Sequence, residues 1–118
     1  MPIVDEDLTK EFTGKKIDLD KMKEDGWSDQ GGKNHHFGFP QKKGLWIKQI
    51  QADSPCGHYT IWLFVLVHLG RGNVLTQVEE AVHMVHNDGS YDDMGVGFFP
   101  PDVETARGEI RNILQAPR

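Results

Sequence analysis

The chain has 118 residues, 37% of them hydrophobic and 26% charged, with 13 Lys and Arg against 18 Asp and Glu for a formal charge of −5. That length suits one domain, residues 1–118, with a core of its own, and that composition excludes a disordered polypeptide. The acid excess argues against a general nucleic-acid binder, which must neutralise phosphates with a surplus of cations.

The N-terminal stretch Met1-Pro2-Ile3-Val4-Asp5-Glu6-Asp7 has neither the basic region nor the apolar region of a secretory signal, so cytoplasm is the expected compartment. Asp5-Glu6-Asp7 open a short helical signal in which Leu8 and Phe12 lie four apart, and Gly14 stops it. Asp18 then reads as the cap of a helix over Leu19–Asp25. Gly26 stands where a left-handed residue ends a helix, and Trp27 is placed to fold back on Met22. His35-His36-Phe37-Gly38-Phe39 alternates weakly before Pro40 and predicts a short strand, followed by strands over Leu45–Ala52 and His58–Leu69. Short links between these favour a three-stranded antiparallel meander over 34–69.

The run Tyr59–Leu69 is the longest apolar stretch and is too short for the ~20 residues that cross a bilayer. As a strand it is apolar on both faces, the pattern of an interior strand covered twice. After it, Thr76-Gln77-Val78-Glu79 matches a capping box, and Val78, Ala81, Val82 and Val85 follow at helical spacing. A middle helix over 76–86 is the reading, with a strand over 74–86 as the alternative that the valines favour. Met94–Phe99 predicts a short strand, and Pro100-Pro101-Asp102 open a C-terminal helix with Val103, Ala106, Ile110, Ile113 and Leu114 on one face. The fold class is α+β: an antiparallel sheet of about four strands, with N-terminal, middle and C-terminal helices packed on it.

Candidate chemistry begins with six histidines. On a helix Glu79, His83 and His86 would share one flank, where imidazole and carboxylate together hold a metal. The pattern is not H-E-x-x-H, and no further ligand is specified. Cys56-Gly57-His58 sets a thiol and an imidazole on one side of an extended chain, the minimum for a thiolate nucleophile, without an orienting third group. A single cysteine excludes an internal disulfide.

Three further motifs carry nothing. Phe37-Gly38-Phe39 resembles only the centre of the base-stacking strand of the RNA-recognition motif, without the basic-glycine pair before it and with Pro40 after it. A calcium loop aligned on Gly89 would need carboxylates where Met84 and Gly95 stand. The glycines at 70, 72, 95 and 97 form no phosphate loop, so no cofactor is implied.

Helices this short cover one face of a sheet, while the central strand demands cover on two. Phe37, Phe39, Trp46, Trp62, Phe64 and His68 are therefore the candidate ligand or interface residues, and a second copy of the chain is the expected cover, as a homodimer. The function expected is a non-catalytic interaction or small-ligand-binding module, self-associating, whose partner is a small molecule or a protein rather than nucleic acid or membrane. The alternative is a small hydrolase-like enzyme using the histidines, with or without a metal. Convergence of His58, His83, His86 and Cys56 on one cavity would favour the enzyme.

Overall fold

The computed structural model describes residues 2–33, 35–36, 38–53 and 57–116. Its elements run β1 (Ile3–Val4), α1 (Glu6–Phe12), α2 (Leu19–Glu24), β2 (Ser28–Asp29), β3 (Leu45–Asp53), β4 (Thr60–Leu69), β5 (Leu75–Val85), β6 (Tyr91–Asp93) and α3 (Pro100–Arg111). The strands form one antiparallel sheet of six in the order β1-β5-β4-β3-β2, with β6 pairing β5 beyond β1. The α+β class is as expected; the strand count is larger than the four predicted. No helix among the described residues is long and apolar enough to cross a membrane.

The two N-terminal helices form where their caps say they should. Asp5 Oδ1 accepts from the Leu8 N–H at 2.8 Å, and Asp18 Oδ1 accepts from Asp20 and Lys21 N–H at 3.0 and 3.3 Å. At the end of α2, Gly26 takes φ +85°, its N–H donates to Lys23 O, and Trp27 N–H donates to Met22 O. That pair of bonds is a Schellman ending, and Met22 and Trp27 are buried together beneath it. Asp18→Ala should therefore cost about 1 kcal/mol in chemical denaturation. In α3 the exposed Gly108 has open space where a Cβ would stand, so Gly108→Ala should add up to about 1 kcal/mol by the same measurement.

Residues 76–86 are strand, not the predicted middle helix. Gly72 and Asn73, at φ +74° and +61°, turn the chain back within the span from Gly70 to Val74, so β5 lies in register on β4, from Val67↔Val78 to Thr60↔Val85. The capping box does not form; Thr76 Oγ1 donates to His68 O across the turn instead. A cap contributes about 1 kcal/mol, whereas the strand completes a ladder along most of β4. The helical spacing of the valines misleads because β5 is apolar on both faces: Val78 and Val82 point one way, Ala81 and Val85 the other.

Two further expectations are corrected. The meander is β3-β4-β5, and the segment around His35–Phe39 is no strand in its described residues. Met94–Phe99 is irregular rather than a strand, with Gly95 at φ +63°; β6 precedes it, joined to β5 by a turn in which Asp88 Oδ1 accepts from Ser90 N–H and Gly89 takes φ +87°.

All three helices pack on one face of the sheet, burying Leu8, Phe12, Met22, Ala106 and Ile110 against Trp46, Val65, Val67 and Val78. The opposite face carries Leu45, Ile47, Phe64, Leu66 and Ala81, and Phe39 closes over it. Phe64 and Leu66 are 7% and 1% exposed within this one chain. The central strand is covered twice, as its sequence demands, but the second cover is the stretch between β2 and β3. Among the described residues, this stretch takes the place over Phe64 and Leu66 expected from sequence for a second copy.

Candidate functional site

That stretch is held by Gln30. Its side chain is fully buried; Nε2 lies 3.1, 3.4 and 3.1 Å from the carbonyl oxygens of His36, Phe39 and Pro40, and Oε1 accepts from the His36 N–H at 2.6 Å. The backbone of Gln30 donates to Leu45 O and accepts from Lys42 N–H, pinning both ends of the loop to the start of β3. An irregular segment cannot satisfy its own polar groups in a ladder, so one buried amide does it.

The loop thereby lays His36 and Phe39 on the sheet, where six ring side chains meet. Phe39 and Phe64 have centroids 4.9 Å apart, and His36 meets Phe64 edge-on at 6.2 Å. His83 stacks between Phe39, at 5.6 Å and 4°, and Tyr91, at 4.6 Å and 15°. Trp62 neighbours His83 in the β4–β5 register, and β6 brings Tyr91 opposite Val85. Gly38 is where Tyr91 comes close; a Cβ there would stand 3.2 Å from the phenol oxygen. Between these rings, with Gln49 and Val85 completing the wall, is a pocket of about 200 Å³.

The pocket is electrically quiet. Burial holds the imidazoles of His36 and His83 below their ordinary pKa, so both are neutral at pH 7. Its wall contains no carboxylate, hydroxyl of serine or threonine, lysine or arginine among the described residues. Rings, one amide and two uncharged imidazoles can stack on a flat group and exchange hydrogen bonds with it.

Of the residues singled out from sequence, Phe39, Trp62 and Phe64 meet here, and His83 joins them by stacking. Trp46 is buried on the helix side of the sheet. His68 is at the other end of β4, paired through Nε2 with Glu79 Oε1 and with Lys42 Nζ 3.5 Å from its Nδ1. His86 Nε2 lies 2.8 Å from Asp92 Oδ2 at the exposed β5–β6 turn. Glu79, His83 and His86 thus go to three different sets of neighbours, because a strand does not align them as a helix would; no group of three metal-ligating side chains occurs among the described residues. His58 is exposed ahead of β4. Phe37 and Cys56 lie outside the described residues.

Sequence reading missed Gln30, His36 and Tyr91. Nothing local marks Gln30, His36 or Tyr91 for this site; their roles come from the loop path and the β6 register.

No protein-family model, curated protein or solved structure gives a significant match to this chain.

Proposed function

We propose that this chain is a non-catalytic binding module that takes a small planar ring, or the flat head of a larger ligand, into the aromatic pocket. The observation that carries the reading is the convergence of His36, Phe39, Trp62, Phe64, His83 and Tyr91 around about 200 Å³. At ~30 Å³ for each water-sized group, that space takes about seven non-hydrogen atoms, the size of a single ring. Aromatic walls with a few polar groups are the usual makeup of such sites. A histidine-based hydrolase would need a carboxylate or a nucleophile beside an imidazole, and the pocket wall supplies neither a carboxylate, a serine nor a thiol among the described residues.

Calorimetric titration with phenol, indole and pyrimidine, against cyclohexanol as a saturated ring of similar size, tests the reading. The flat probes should bind at least tenfold more tightly than cyclohexanol, and Trp62→Ala should remove that margin while Trp62→Phe keeps most of it. Affinity should stay level from pH 8 to 7, since burial lowers both imidazole pKa values and leaves them uncharged there. Equal binding of cyclohexanol, or indifference to Trp62→Ala, would refute stacking as the basis of recognition.

A further inference from the structure

On the opposite face, at the same end of the sheet, lies a larger cavity of about 450 Å³. Ile61, Leu63, Val82 and Met84 form its floor, and the irregular strap after β6 supplies Met94, Val96 and Phe99 as its outer wall. Large apolar side chains are otherwise well covered. Among the described residues only six are exposed, and three of them are Met94, Val96 and Phe99, at 41%, 43% and 71%.

The wall is built rather than loose. Met94 N–H donates to Val82 O at 2.9 Å, and Phe98 N–H donates to Glu80 Oε1 at 3.0 Å, so the strap is tied to β5 at both ends. Gly97 allows that approach, since a Cβ there would stand 2.7 Å from Glu80 Oε1. Held this way, the strap keeps its apolar side chains around an open space. Exposed apolar surface gathered in a concave site marks a place that a ligand covers.

The charge of the wall narrows the class. Asp102, in the first turn of α3, is its one charged side chain among the described residues, and no lysine or arginine lines it. A fatty acid or other anionic lipid would bring its head to a carboxylate with no cation to answer it, whereas a cationic head would be attracted. The two methionines, Met84 and Met94, give the wall the adaptable surface that suits flexible chains. At ~30 Å³ for each water-sized group, the space accepts about fifteen non-hydrogen atoms.

From this geometry we infer a second ligand site, distinct from the aromatic pocket, that takes an amphiphile with an apolar chain and a cationic head placed at Asp102. The probes are decyltrimethylammonium, decanol and decanoate, titrated below their aggregation concentrations into the full chain by calorimetry, with the methionine methyl groups followed by NMR. Decyltrimethylammonium should bind most tightly and decanoate at least tenfold more weakly, with shifts at Met84 and Met94. Asp102→Asn should bring decyltrimethylammonium to within about threefold of decanol while leaving decanol binding unchanged. Phe99→Ala, at the most exposed residue of the wall, should weaken all three probes without altering the stability of the fold. Phenol or indole binding in the aromatic pocket should be unaffected by either variant, so the two sites fail or stand separately. Decanoate binding as tightly as decyltrimethylammonium, or methionine methyl signals that do not move, would overturn the proposal. So would a concentration-dependent dimer that Phe99→Ala abolishes and decanol does not compete with, since a second copy would then be the occupant.

Discussion

Gln30→Ala should destabilise the chain by about 4 kcal/mol and abolish binding in the aromatic pocket. The variant leaves the carbonyls of Phe39 and Pro40 and the N–H of His36 without the partner that Gln30 gives them beneath the loop, while the His36 carbonyl keeps the Phe39 N–H. Each buried polar group left unsatisfied costs about 1–3 kcal/mol, partly recovered if the loop lifts and lets water in. Lifting has its own cost, because Phe39 then leaves Phe64 and His83 and the second face of the sheet opens. Urea denaturation measures the loss, and binding of an apolar dye should rise as the face opens. A cost below about 1 kcal/mol would mean that Phe39 packing alone holds the loop.

The second large effect concerns Glu80 and is opposite in sign. Its carboxyl is buried on the helix side of β5, with Oε1 taken by Phe98 and Oε2 accepting no hydrogen bond from the described residues. Burial pushes its pKa from 4.5 up to about 7; the Phe98 N–H pulls it down, and the Asp5 and Asp102 carboxylates raise it further. A protonated Oε2 would donate to Asp5, which gives the proton a structural use. Between pH 4.5 and 7 the folded chain therefore holds a proton that the unfolded chain has released. Stability from this group is complete below pH 4.5 and is lost as pH rises through 7.

Glu80→Gln keeps the acceptor for Phe98 and a donor for Asp5 without the charge. It should be more stable than the parent by about 2 kcal/mol at pH 8, after allowing for solvent screening, or roughly 6–10 °C in Tm. At pH 4.5 the two should melt together. His36 and His83, whose lowered pKa makes stability fall on acidification below about 6.5, titrate in both proteins and cancel from the difference. An unchanged Tm at pH 8 would show that Glu80 is ionised in the folded chain at no cost.

What could be read from sequence follows the range of the interactions involved. The α2 unit was legible in full, since Asp18, Met22, Gly26 and Trp27 settle it among ten neighbouring positions. The need of β4 for two covers was legible too, because it is a property of one strand's own side chains. The 76–86 helix failed because Thr76 and Glu79 advertise a local cap while the deciding contacts come from β4, and His68 takes up both residues. The loop over the second face was illegible for a related reason. Its order depends on a glutamine amide reaching carbonyls six to ten positions away, and no periodicity records that. Of the pocket, Phe39, Trp62 and Phe64 are legible as ligand or interface candidates, but their meeting with His36, His83 and Tyr91 depends on a turn geometry and a strand register.

The distribution of tryptophan across the sheet has a practical consequence. Trp27 and Trp46 are enclosed on the helix side, at 4% and 7% exposure, while Trp62 stands half-buried in the wall of the aromatic pocket. A collisional quencher such as acrylamide will reach one indole well and two poorly, so the quenchable part of the intrinsic emission belongs to Trp62. The chain carries its own fluorescent reporter of pocket occupancy, readable without a label.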